Sequence, residues 1–132
     1  LPHQEEVFVP NLAIIIPAVG GIEALESTLV SVLENRPRNC EVIVVLNRLY
    51  ADPYDLKDEV RFVQARTGAG PAACANLGIA QTSAPIVHVL VAGCTVSEGW
   101  TEQALEHFRD AQVAAVAPLV LDRLDESRVV AA

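Results

Sequence analysis

The chain has 132 residues, 52% of them hydrophobic and only 5% aromatic, with a formal net charge of −8. That length suits one domain or part of one. The acidic balance argues against nucleic acid and anionic membrane surfaces as partners, because both are held by Lys and Arg.

No apolar run approaches the roughly 20 residues that span a bilayer. Leu1–Glu6 has neither the basic nor the apolar region of a signal peptide. The three cysteines, Cys40, Cys74 and Cys94, are odd in number and lack CxxC spacing. They read as reduced thiols in a cytoplasmic compartment rather than as a disulfide framework or a zinc knuckle.

Residues 1–10 are polar and flanked by proline, which predicts an N-terminal arm before a folded region over 11–132. Leu12–Ile16 is a continuous apolar run ended by Pro17, the pattern of a parallel strand buried on both faces. After the turn Ala18-Val19-Gly20-Gly21, a helix is predicted from Ile22 to Asn35. Its inner face is Ile22, Leu25, Leu29, Val32 and Leu33, and Glu23, Glu26, Ser27, Ser31 and Glu34 lie mostly on the other face. Cys40–Leu46 reads as a second buried strand, with the loop Asn47–Pro53 at its carboxyl end. A short helical piece is expected at Tyr54–Asp58, and the alternation of Val60–Gln64 predicts a third strand near a sheet edge. Pro71 fits the first turn of a helix over Ala72–Gln81.

Pro85–Val96 reads as a buried central strand running into a loop of small residues. Ser97 is the expected cap of a helix over Glu98–Asp110, with Trp100, Ala104, Leu105 and Phe108 facing inward. Val113–Ala117 is a predicted fifth strand, and Leu119–Leu121 and Arg128–Val130 flank a charged turn as an incipient hairpin. Strands separated by helical segments imply right-handed crossovers. The fold class is therefore a three-layer, Rossmann-like α/β/α arrangement with a mainly parallel sheet. Turns after the first, second and fourth strands would gather at one edge as the binding crevice.

Gly68-x-Gly70-x-x-Ala73 has the spacing of a dinucleotide fingerprint, but no acidic residue follows in Val87–Gly93 to hold a ribose. A flexible turn that caps a helix explains it better, and anion binding by the helix N-terminus after Gly70 is a generic alternative. His88, mid-strand beside Ile86 and Leu90, reads as a buried, hydrogen-bonded histidine, and His3 and His107 read as solvated. Asp52, Asp55, Asp58 and Glu59, and likewise Asp122, Asp125 and Glu126, read as solvated charge. Cys94 near a helix start is a candidate reactive thiol.

Several segments, in order, resemble one family. They are Ile14–Pro17, Leu25–Leu33, Glu41–Val45, Gly70 with Ala72–Ala80 and its Asn76-x-Gly78, Ala84–Leu90, Trp100, and Val116–Leu119. Together, from about Leu12 to Val130, they resemble the N-terminal half of the inverting family 2 glycosyltransferases. The resemblance implies a GT-A fold, a nucleotide-sugar donor and a longer chain. It also implies nucleotide contacts from Pro17, Ala18 and Val19, from Asn47, from Gly70 and Asn76, and from Gly93.

The chain departs from the family at its chemistry. Leu46-Asn47 stands where the family places aspartate after the second strand. Val91-Ala92-Gly93-Cys94 stands where an Asp-x-Asp would hold Mg²⁺ or Mn²⁺ on the diphosphate. No catalytic residue, metal ligand or other cofactor is assigned within the chain. The expectation is a glycosyltransferase-like domain without metal-dependent transfer, in effect a pseudoenzyme. The alternatives are an interaction module assembling as a homo-oligomer through an open sheet edge, and a Rossmann-like cofactor protein.

Overall fold

The computed structural model describes residues 9–131, in two compact units that divide after Ser97. Of the predicted arm, residues 1–8 lie outside the described residues. The first unit holds β1 (Leu12–Ala18), α1 (Ile22–Glu34), β2 (Cys40–Leu46), β3 (Arg61–Gln64), α2 (Pro71–Ala80) and β4 (Ile86–Val89). Its strands form one parallel sheet in the order β3-β2-β1-β4.

β1 is paired on both edges, from Leu12↔Cys40 to Ala18↔Leu46 on one side and from Leu12↔Ile86 to Ile15↔Val89 on the other. All seven of its residues are buried, as the unbroken apolar run requires. The strand runs through Pro17 to Ala18 instead of ending at Pro17. The Ile15 carbonyl accepts from Leu90 N at 2.8 Å, so the backbone of Pro17, two residues on, faces the same side. Its missing N–H is therefore absent only from the β4 side, where pairing has stopped.

Alternation divides the core between two faces. Ala13, Ile15, Ile43 and Val45 pack with Cys74 and Ala69 on the α2 side. α2 lies close because of Gly78, where an added Cβ would come 2.5 Å from Ile15 Cγ2 and 3.0 Å from Val45 Cγ2. The opposite face, Ile14, Ile16, Val42 and Val44, is equally buried. Right-handed crossovers set α1 on that face, since α1 carries the chain from β1 to β2 while α2 returns it across the sheet from β3 to β4. Leu25, Thr28, Leu29 and Val32 form the buried stripe of α1. The three-layer α/β/α arrangement is as predicted. Ile22, expected on the apolar face, is instead exposed, and Ser31, expected outside, is half-buried.

Three other expectations for this unit are corrected. The stretch from Pro85 is not a buried central strand. β4 pairs with β1 alone among the described residues, and Val87 and Val89 are 36% and 42% exposed. Tyr54–Asp58 forms turns, not a helical piece. Asp52 and Asp55 adopt φ of 51° and 52°, outside the right-handed helical region, and the Asp52 carboxylate accepts from Leu56 N at 2.9 Å. Asp52 thus builds a turn as well as carrying charge. The loop is held to α1 by Tyr50, whose hydroxyl donates to Glu26 Oε1 at 3.3 Å and whose ring lies 5.8 Å from that of Phe62.

The second unit contains α3 (Glu102–His107) and a two-stranded antiparallel ribbon of β5 (Val120–Leu121) and β6 (Val129–Ala131). The predicted helix from Glu98 starts later, with Thr101 rather than Ser97 at the N-cap position and no side-chain capping bond, because Gly99 at φ 75° cannot continue a right-handed helix. Its end tightens into bonds from Arg109 N to Glu106 O and from Asp110 N to His107 O. Val113–Ala117 forms no strand among the described residues. Three of its five residues are alanine, a poor strand former, and no partner strand pairs with it. The hairpin is present, and its turn uses Asp122 and Asp125 as acceptors for Leu124 N and Ser127 N. The bonds from Ser127 hold the Asp125 carboxyl below its usual range.

Two measurements check this packing. Gly78→Ala is expected to lower stability by about 1–3 kcal/mol through overpacking, although alanine is the better helix former by about 1 kcal/mol. A urea midpoint that stays or rises would show that α2 does not lie this close. The Tyr50 phenol is pushed up to about 12, first by burial and then by the charge of Glu26 and the bond to it. Glu26→Gln should bring its ultraviolet titration down toward 10, read as the difference from a Tyr50→Phe control.

Candidate functional site

Because the sheet is parallel, the loops that follow the strands emerge at one rim, where α/β proteins bind ligands. After β1 the chain turns through Val19 and Gly20, whose φ of 112° favours glycine, into Gly21, the N-cap of α1. No side chain caps this helix. After β2 comes Asn47-Arg48-Leu49-Tyr50. The two loops frame a shallow crevice over Ala18, Gly20, Gly21, Leu46, Arg48 and Tyr50. Its volume is about 10 Å³, far below the roughly 300–1,000 Å³ of an enclosing ligand pocket.

Arg48 is exposed at this crevice, and its guanidinium makes no ion pair among the described residues. Asn47 is half-buried beside it. Its Nδ2 donates to Ala69 O at 2.9 Å, and its own carbonyl accepts from Gly68 N at 3.0 Å. A carbonyl can only accept, so the amide orientation of Asn47 follows from that bond. Its Oδ1 has no hydrogen-bond partner among the described residues. Asn47 thus presents an acceptor, as an aspartate there would. Gly68, at φ 79°, makes the turn into Gly70, the N-cap of α2.

The sequence-derived candidates are only partly brought together. Ala18 lines the crevice, with Val19 and Asn47 next to lining residues. Pro17 is buried in β1, and Gly70 sits at the start of α2. Asn76 lies on the exposed side of α2, its side chain making no hydrogen bond among the described residues. The glycine of Asn76-x-Gly78 is accounted for by packing against the sheet.

Gly93 belongs to a turn over Val91–Cys94, closed by Cys94 N to Val91 O at 3.1 Å. Its φ of 104° suits the third position of such a turn, where glycine is favoured. This turn is tied to α1. Thr28 Oγ1 accepts from Gly93 N at 2.8 Å and donates to Cys94 O at 2.7 Å. Ser31 Oγ accepts from Val96 N at 3.2 Å and donates to Thr28 O at 2.9 Å. Asn35 Nδ2 donates to Ser31 O at 2.9 Å and to Val96 O at 3.3 Å.

The divalent cation implied by the resemblance requires hard oxygen ligands. The Val91–Cys94 turn has no carboxylate, and the Val91, Cys94 and Val96 carbonyls already accept hydrogen bonds. The Cys94 thiol is a soft ligand. These residues do not fit Mg²⁺ or Mn²⁺. No group of three or more His, Cys, Asp or Glu side chains is placed to hold a metal among the described residues.

Other titratable groups near the sheet are structural. His88 shares a face with Ile14, its register partner, and burial lowers its pKa, which favours the neutral imidazole. Burial also raises the thiols of Cys40 and Cys74, outweighing the opposing pull of Arg36 on Cys40. All three cysteines are free.

Reading the sequence alone missed Arg48, Tyr50 and the Thr28–Ser31–Asn35 set. The signal for the last was a polar i, i+3, i+7 spacing along one helical face. For Arg48 it was only adjacency to Asn47.

The comparisons bear on the fold and the family. The S. aureus TarS 1–349 crystal structure superposes with a TM-score of 0.62 at 11% identity, covering 86% of this chain and 40% of that one. A second S. aureus TarS structure gives 0.57 at 12%, covering 86% and 24%. At such identities the likeness shows the fold. The pre-mycofactocin glycosyltransferase of Mycobacterium tuberculosis strain CDC 1551 / Oshkosh is 39% identical over 62 residues, 47% of this chain. The H37Rv strain protein of that name matches equally. The chain covers 13% of the length of these relatives. The family described as Glycosyl transferase family 2 matches residues 13–130, nearly the whole chain, and the chain belongs to that family.

Proposed function

We propose that this chain is the nucleotide-binding half of a family 2 glycosyltransferase-like protein, and that donor binding here does not depend on a divalent cation. The observation that carries the reading is the Val91–Cys94 turn. It stands where the family's carboxylates are expected, carries none, and has its Val91 and Cys94 carbonyls engaged in hydrogen bonds.

The reading assigns the base to Asn47, whose Oδ1 can accept from a nucleobase N–H. The diphosphate falls to Arg48, whose guanidinium neutralises charge that a metal would otherwise meet. With no cation to stabilise the leaving group, metal-dependent transfer is not supported by these residues. In the whole protein, transfer with inversion would rely on a base outside residues 1–132 to take the proton of the acceptor hydroxyl. The three thiols, none in a disulfide, support a cytoplasmic setting. No helix among the described residues is long and apolar enough to cross a membrane.

A second reading, self-association through the sheet edge, is favoured by β4, which among the described residues pairs on one side only and exposes Val87 and Val89.

Calorimetry with UDP and GDP, each in Mn²⁺ and in EDTA, is expected to give the same affinity under both conditions. Arg48→Ala should weaken binding roughly tenfold or more, as loss of a charge-assisted hydrogen bond does. Binding that appears only with Mn²⁺ would overturn the proposal. For the second reading, light scattering coupled to size exclusion should show a dimer that Val89→Lys dissociates, and a strict monomer at every concentration removes it.

A further inference from the structure

We propose that the Thr28–Ser31–Asn35 ridge of α1 is the positioning device for the loop after β4, with Thr28 as its principal positioning residue. This rests on the proposed function, in which that loop borders the donor site.

Thr28 is fully buried, in a helical stripe otherwise made of Leu25, Leu29 and Val32. Packing alone would be served there by valine, which has the same shape without the hydroxyl. The hydroxyl is used twice, accepting from Gly93 N and donating to Cys94 O, across sequence separations of 65 and 66 residues. Both functions of one buried oxygen are thus committed to one loop, and withdrawal of the loop would strand them in a dry interior. Ser31 and Asn35 extend the same hold to Val96 on the next turns of the helix. Ala24, one turn before Thr28, lies 3.8 Å from the position a Cβ would take on Gly93, so the turn rests against the helix as well as bonding to it.

The consequence is pre-organisation. In cation-dependent sites a metal can order the loop that holds it. Here α1 holds the loop from beneath, so a nucleotide does not have to fix it on binding.

The test uses Thr28→Val, which keeps the shape and removes both bonds, and Thr28→Ser, which restores the hydroxyl. Amide exchange at Gly93 and Val96 reads loop order, and calorimetry with UDP and GDP reads binding. Thr28→Val is expected to speed exchange at Gly93 and to weaken binding roughly tenfold, about the worth of a lost buried hydrogen bond. Thr28→Ser should recover both. Ser31→Ala, at a half-buried position, serves should Thr28→Val fail to fold. It should speed exchange at Val96 and weaken binding by a smaller factor, roughly threefold. A loosened loop with unchanged binding would overturn the inference while leaving the proposed function standing. A serine variant that folds but binds no better than the valine variant would do the same. A wild-type chain that binds neither nucleotide would overturn the proposed function, and the inference with it.

Discussion

The first unit depends on β1 being covered on every side. It pairs with β2 along its whole length and with β4 along its first four residues, and both of its faces are buried. A strand so enclosed has to be apolar at every position, which is why Leu12–Ile16 is an unbroken run instead of an alternating one. Enclosure also fixes the geometry of the rim. The turn into α1, the loop after β2 and the turn after β4 are spaced by the interstrand distance of about 4.8 Å.

At that rim, polar side chains mostly bond to neighbouring loops. Asn47 ties the β2 loop to the loop before α2 through Ala69, and Tyr50 ties the β2 loop to α1 through Glu26. Among the described residues, Asn47 Oδ1 and the Arg48 guanidinium have no partner in this network. One is a hydrogen-bond acceptor and the other a charge-bearing donor, a pair suited to a ligand with an N–H edge at one end and anionic oxygens at the other. The local cation matters in a chain of net charge −8, whose overall field repels anions.

Much of the fold was legible because helical and strand periods leave marks in sequence. β1, α1, β2 and α2 lie within one or two residues of their predicted bounds. What failed depended on partners or on single backbone angles. Val113–Ala117 and Pro85–Val96 were judged by apolar content, but a strand is defined by what pairs with it, and the neighbours of a strand are not written in its own residues. The start of α3 was set by Gly99 and the turns at 52–58 by left-handed aspartates, each a single φ that no period reports. At the site, the missing carboxylates were plain from identity alone. The ridge under the loop was not, because Thr28 and Ser31 are small, helix-compatible residues until the segment 65 positions away is laid against them.

Pro17 carries one more implication. Pairing of β1 with β2 continues to Ala18, while pairing with β4 ends at Ile15. The sheet therefore has a step at its top edge of three residues, about 10 Å at the rise of a strand. A residue with an N–H at position 17 would offer β4 another rung and allow it to climb alongside β1, filling the step with backbone. The proline has no N–H to offer at that corner, so β1 adds no further donor there to a strand rising beside it.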